Sequence, residues 1–475
     1  MSARPLRDRA LAWVGRLVDA SARERILISV TALFASLLVG GGLVLVAGLM
    51  TTCSAGFVLG GDEYVLGPLV VTLPAVEFAL AGVGNFCYNP LDVYYHLFVA
   101  PFLSCGGGGA LLGCEVAWFN FALMLKETTL LLFTGLSVAV AFRAGLFNIG
   151  TQGQMVLGAL ATALVVLAVA PLFPGGLLGA ALLVPVGLLA GTVAGGLYGA
   201  LPGALKAYSD ANEVITTIML NFVASGVAFY LVNNFFQAEG AGSVATRNLP
   251  GHAQIRPVLP PFADSTFSLV ALLLGLALVA GVYYLLFHTA FGYDLRTSGL
   301  QPAAAAYGGV DAERMIVTSM TISGALGGLA GAVYVMMVLG RWRTGLPALG
   351  FDGITVSILA GNNPLGVVLA AALFGTMKSG SISISFALGI PRQLVGVLRG
   401  LVILFVAMPE FFRMLGVRYD VGEPEHPGGD AGGGEPTEQA SEGATATDGG
   451  RIDDGRSAGD PARAPDGPGG DRDGR

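Results

Sequence analysis

A chain of 475 residues that is 54% hydrophobic and 12% charged, with a mean hydropathy of +0.70, carries more apolar surface than a soluble interior can hide. This excludes an ordinary soluble enzyme or a nucleic-acid-binding module and leaves an all-α polytopic membrane protein. The pI of 5.2 misleads, because 14 of the 32 acids but only 5 of the 25 bases lie from Asp420 onward, leaving the membrane portion at +2 against −7 for the whole chain.

Residues 1–25 form a basic segment in which Arg4, Arg7, Arg9, Arg16, Arg23 and Arg25 face three acids, so the N-terminus is expected in the cytoplasm. The apolar run 26–50 is long enough to span and is not followed promptly by a small-residue cleavage site, so it reads as a first span rather than a cleaved signal. Residues 51–115 follow as an extracytoplasmic insertion holding all four cysteines, Cys53, Cys87, Cys105 and Cys114. Disulfides persist on that side of a membrane. Cys53–Cys87 with Cys105–Cys114 is the preferred pairing of the three, though sequence does not fix connectivity. The amphipathic piece 91–103 is expected at the membrane interface.

Further runs at 160–201 (divided by Pro171 and Pro174), 214–232, 267–287, 315–340 and 394–408, with shorter ones at 128–142 and 353–377, bring the bundle to about 8–10 transmembrane helices. Glycines at 187, 191, 195, 199 and 203 fall on every fourth position, and Gly324, Gly328 and Ala332 repeat the device. Such ridges let helix backbones approach closely. The loop 206–212 and the segment 289–313 are expected in the cytoplasm and the loop 233–264 outside. The segment 353–377 is expected to be a re-entrant hairpin broken at Gly361-Asn-Asn-Pro-Leu-Gly366, which puts Arg341 and Arg343 outside, against the positive-inside bias. The membrane domain then covers 26–413, and residues 414–475 form an acidic tail, expected to be disordered and cytoplasmic.

Three polar segments interrupt these runs: FRAGLFNIGTQGQM at 142–155, SDANEVITTIMLN at 209–221 and the stretch from Phe351-Asp-Gly-Ile to Gly366. Polar groups at membrane depth are costly unless they pair or line a cavity. Asn148, Gln152, Gln154, Thr217, Asn221, Asn362 and Asn363 are therefore the candidate lining of a solute pathway, with interhelical hydrogen bonding an equal alternative for any one of them. Amides and hydroxyls rather than charges suit a neutral solute, and Phe142, Phe147 and Phe222 offer faces to a base or sugar. In the segment 289–313, Gln301, Pro302, Ala303, Ala304, Ala305, Ala306 and Tyr307 read as one short helix, preset by its proline and stopped by Gly308 and Gly309. It presents a compact knob for a partner's groove. No phosphate loop is found, since Gly375-Thr-Met-Lys-Ser379 lacks the glycine before lysine, and there is neither an HExxH nor a cysteine pair at zinc spacing. No metal, cofactor or catalytic residue is expected, and energy for active transport would enter through a partner.

These four segments, with GLQPAAAAYGG at 299–309 and GFDGITVSILAGNNPLG at 350–366, resemble in order the permease subunits of ABC importers. They are most similar to the nucleoside and simple-sugar class within the group that also serves branched-chain amino acids and ribose, over roughly residues 16–413. The resemblance implies a multi-pass plasma-membrane permease pairing with a second, related permease subunit, a cytoplasmic ABC ATPase that uses the ATP, and an extracytoplasmic substrate-binding lipoprotein that delivers a small-molecule solute. It implies that 301–307 is the coupling helix seated in the ATPase. Against the resemblance, the insertion 51–115 is longer than the family norm, and the acidic tail has no counterpart in it. An ion-coupled secondary transporter is the competing class, and it normally needs buried carboxylates, which are scarce in the spans as read from sequence.

Overall fold

The computed structural model describes residues 22–51, 84–105, 114–240, 242–391 and 393–398, with short stretches between 58 and 80 and single positions up to 404. The N-terminal residues 1–21, Cys53 and the acidic tail lie outside the described residues. The first helix, α1, is Ala22–Leu49. Residues 58–85 and 103–116 hold four two-stranded antiparallel pairs, one of which sets Cys105 opposite Cys114 in register. Cys87 is disulfide-bonded, and no cysteine is free among the described residues.

Between these pairs lies α2, Pro90–Tyr94, capped by the Asn89 side chain. It is not merely a surface helix at the interface: Val93 and, just beyond it, Leu97 are fully buried with Val44 of α1. Gly380, in the last long helix, lies against the Leu97 backbone.

The membrane bundle begins at α3, Trp118–Arg143, and the apolar run thought to start at 128 is longer because Lys126 and Glu127 are inside the helix. The run 160–201 resolves into α4, Thr151–Val169, and α5, Gly176–Ser209. The intervening Pro171 and Pro174 cannot donate to a helix ladder, and the chain turns there. Asp210 takes a left-handed conformation to end α5, and Asn212 starts α6, Glu213–Leu231, by accepting from the Val214 and Ile215 amides. Next come α7, Leu269–His288, then α8, Ala290–Leu300, the short α9, Pro302–Tyr307, and α10, Ala312–Tyr334. The last two are α11, Leu349–Leu359, and α12, Pro364–Ala387. Seven helices are long and apolar enough to cross a membrane among the described residues, and α11 is too short to do so.

The two glycine ridges meet. Antiparallel α5 and α10 approach so closely that a Cβ at Gly195 would strike Gly328 and the Gly324 carbonyl, and one at Gly199 would lie 2.8 Å from the Gly324 Cα. Lipid tails offer helices no hydrophobic drive to associate, so this backbone-to-backbone packing is a main source of cohesion. The opposite face of α5, with Leu189, Val193, Leu197 and Leu201, is exposed as an apolar stripe.

The expected hairpin at 353–377 needs correction. Its Gly361–Asn362 turn sits where Arg143 ends α3, both residues having positive φ. From there α12 runs 24 residues, a full span. Irregular backbone comes earlier, at 341–348, where the chain passes the loop 238–255 after α10 and descends to α11. That loop is tied to it by Thr246 N–H to Trp342 O, Thr344 N–H to Val244 O and Leu249 N–H to Gly340 O. Arg341 and Arg343 thus belong to the end of the bundle that carries the loop, opposite the end that carries Arg143.

Candidate functional site

Two irregular stretches, 144–150 before α4 and the largely exposed 341–348 before α11, leave backbone groups without a helix ladder. Neither α4 nor α11 has a side-chain cap of its own. Amides from elsewhere supply what is missing. The Gln152 carboxamide donates to Pro347 O at 3.0 Å and accepts from Gly350 N–H at 2.8 Å, which closes the gap before α11. Asn221 does the same for α4, donating to Ile149 O at 3.0 Å and accepting from Gly153 N–H at 2.7 Å.

Asn148 is the hub. Its Nδ2 donates to Gln154 Oε1 (3.0 Å) and Ser323 Oγ (2.7 Å), and its Oδ1 accepts from Gly150 N–H (3.0 Å) and Gln154 Nε2 (3.2 Å). Ser323 in turn donates to Ser137 O at 2.7 Å, so α3, α4 and α10 share one network. Ser137 stands six residues before Arg143, so the network lies about 9 Å inside the helix end at 1.5 Å per residue. Thr217 is fully buried and bonds back to Glu213 O, with its Cβ against the position a Cβ on Gly150 would take. The structure brings Asn148, Gln152, Gln154, Thr217 and Asn221 together, all buried. The buried side-chain polar atoms without a partner among the described residues are in His252, Ser268 and Trp342, none of them in this set. In this conformation the amides are taken up by backbone, by Ser323 and by one another.

Asn362 and Asn363 stand apart from that network. Asn363 caps α12 through Leu365 N–H, and Asn362 holds the left-handed turn, its side chain accepting from Ser357. Arg143 donates to Asn362 O at 2.7 Å, and its guanidinium lies 5.3 Å from the Phe287 ring centroid, with Arg296 at 4.9 Å from the same ring. Two cations against one aromatic ring bind α3, α7 and α8 at this end.

The helix α9 projects from the same end. Ala305 is 2% exposed and faces the protein, whereas Gln301, Pro302, Ala303, Ala304 and Ala306 are exposed and Tyr307 is 95% exposed. Just before it, Gly299 packs against Ala144 and Gly145, so closely that a Cβ on either glycine would meet the other's backbone. The residue leading into the short helix therefore touches the stretch leading into the Asn148 network.

One group escapes the sequence reading. Lys126 and Glu127 of α3, Asp352 of α11 and Lys378 of α12 form a chain of ion pairs: Lys126–Glu127 at 3.0 Å, Lys378–Glu127 at 3.4 Å and Lys378–Asp352 at 2.9 Å. Glu127 lies about 14 Å along α3 from Trp118, and Lys378 about 21 Å along α12 from Pro364. Both are thus well inside a hydrocarbon layer of about 30 Å. The signal was available in Lys126-Glu127 inside a longer apolar stretch, but pairing across more than 200 residues is not.

Seven apolar helices, irregular backbone at depth and a short helix presented at one end define a multi-pass membrane transport protein of the broken-helix kind. Residues 120–407 match the family described as branched-chain amino acid transport system / permease component, and the chain belongs to that family. It is 35% identical over 289 residues to the guanosine ABC transporter permease protein NupP of Bacillus subtilis, covering 60% of this chain and 79% of that protein. It is 32% identical over 369 residues to a glucose ABC transporter permease of Haloferax volcanii (75% and 89% covered). With the nucleoside ABC transporter permease protein NupB of Lactococcus lactis it shares 30% over 350 residues (72% and 91%).

Proposed function

We propose that this chain is the subunit that forms the membrane route of an ABC importer for a nucleoside or a simple sugar, driven by a separate cytoplasmic ATPase. The observation that carries the reading is the family match over 120–407, which takes in all four polar and alanine-rich segments. The named relatives, which include guanosine, nucleoside and glucose permeases, support the solute class. A second permease subunit, related or identical, completes the route, and an extracytoplasmic lipoprotein delivers the solute. The chain itself uses no cofactor, and ATP is consumed by the partner.

In this reading the N-terminus, the α8–α9 end and the tail are cytoplasmic, and the loop 238–255 faces outside. The exposed residues Ala303, Ala304, Ala306 and Tyr307 seat in the ATPase, while Ala305 holds α9 to its own chain. Movement of α9 passes through the Gly299–Gly145 contact to the Asn148 network, and the amides keep the two broken stretches intact while the helices rock. Phe147 and Phe222, both more than half exposed, offer faces to a base or sugar ring beside it. Asn362 and Asn363 act at the turn that links this movement to α11 and α12. The cysteines of the outer insertion staple it as Cys53–Cys87 and Cys105–Cys114.

The test is Ala304→Glu in the complete transporter. It puts a charge on the exposed side of α9 without touching the Ala305 seat. Solute uptake is expected to fall at least about tenfold, a coupling change of about 1.4 kcal/mol, with loss of ATPase stimulation by the loaded lipoprotein. Unchanged uptake would remove α9 from the coupling role.

A further inference from the structure

We propose that the ion-paired face formed by Lys126, Glu127, Asp352 and Lys378 lines the solute route and recognises the vicinal hydroxyls of a neutral polyol, the ribose of a nucleoside or the ring of a simple sugar. The inference rests on the importer reading above and adds to it the residues that meet the solute.

Four observations support it. First, the cluster stands at membrane depth, where each charge turned to acyl chains costs about 3 kcal/mol or more, so charged residues there face a polar cavity or one another and mark solute pathways. Second, it is not sealed. The four side chains keep between 12% and 24% of their surface exposed, whereas the amides of the Asn148 network are buried and each of their polar atoms has a partner. Third, two cations and two anions sum to zero, so the face attracts hydroxyls without demanding a charged solute. Fourth, the pairing leaves capacity. Each ammonium has three donors and each carboxylate about four acceptor positions. Among the described residues Lys126 meets one carboxylate, Lys378 two and Asp352 a single ammonium. A vicinal diol both donates and accepts at adjacent positions, so it can bridge a carboxylate and the neighbouring ammonium without breaking the pair.

The placement also suits a moving part. Asp352 is in the first turn of α11, two residues after the Gly350 amide held by Gln152. Glu127 and Lys378 sit on full-length helices. A solute bound between them would report the position of α11 relative to α3 and α12.

A purely structural lock makes a different forecast, and charge reversal separates the two. In the reconstituted transporter, with its ATPase, partner permease and lipoprotein, uptake of radiolabelled guanosine and of glucose is measured for the wild type, Asp352→Lys, Lys378→Asp and the full swap that combines both with Lys126→Glu and Glu127→Lys, which keeps opposite charges at all three contacts. The single changes are expected to lower both thermal stability and uptake. The full swap is expected to recover stability while uptake of the transported solute stays at least about tenfold down, because acceptors and donors have exchanged places. Recovery of uptake to within about twofold by the full swap would show a lock and overturn the inference.

Should the swap fail to fold, Lys126→Cys supplies the second arm, read as the labelling that exceeds the wild-type background. Modification from water by a small methanethiosulfonate, slowed at least about threefold by the transported solute, supports a solute-lined face. An unreactive cysteine at 126, beside a reactive one introduced at exposed Phe147, overturns it. If the wild type accumulates neither guanosine nor glucose, it is the substrate reading that fails, and the cysteine arm then tests the water-lined face on its own.

Discussion

Replacing Asn148 by alanine separates a residue that holds backbone from one that binds solute. The substitution removes four hydrogen bonds, two given and two received. At about 0.6 kcal/mol for each side-chain hydrogen bond in a membrane interior, the loss is about 2.4 kcal/mol. A second route gives a similar figure: Ser323 keeps its bond to Ser137, but the Gly150 amide and both ends of the Gln154 carboxamide lose their Asn148 partner, at about 1 kcal/mol each at the low end, or about 3 kcal/mol. The folded-to-unfolded ratio should fall about 50- to 150-fold. Titration of the purified permease from mild detergent into sodium dodecyl sulfate, followed by tryptophan fluorescence, reads this directly. The control is Phe222→Ala, whose side chain is 71% exposed and which should cost less than about 0.5 kcal/mol. If Asn148→Ala unfolds at the wild-type midpoint, the network is not what holds the break before α4.

Two further expectations concern packing and the outer insertion. Gly328→Ala places a methyl group against Gly191 and 2.7 Å from the Gly195 Cα, and should destabilise by about 1–3 kcal/mol, whereas Gly226→Ala, with open space around it, should be neutral or gain up to about 1 kcal/mol in the same titration. Equal midpoints for the two would remove the α5–α10 ridge as a source of cohesion. An impermeant maleimide should label the insertion cysteines in right-side-out vesicles only after reduction, and equal labelling before and after reduction would discard the proposed disulfides.

Much of the architecture was legible because the membrane imposes simple rules. Apolar length marked most of the seven described spans, spacing by four marked both glycine ridges, and proline and glycine bracketed α9, while the expected span 394–408 runs beyond the described residues. What resisted reading depended on pairing between distant residues. Lys126 and Glu127 looked like the end of an apolar run because charges end spans unless neutralised, and their neutralising partners lie on α12 and, through Lys378, α11. The amides of 148–154 suit either a pathway lining or the holding of backbone, and the partners they have here, Gly150, Pro347, Gly350, Ser323 and one another, cannot be read from their types. The break was placed at 361–366, where Asn-Asn-Pro signals a turn. That turn exists, but at a helix end, while the irregularity at 341–348 carries a tryptophan and two arginines that do not announce it.

The most direct test of the account is ATP-dependent accumulation in proteoliposomes containing this permease, its partner permease, the lipoprotein and the ATPase, beside the same assembly with the ATPase inactivated. Uptake of radiolabelled guanosine or glucose should require the active ATPase and survive an ionophore. Accumulation that persists with the inactive ATPase and collapses with the ionophore would contradict it.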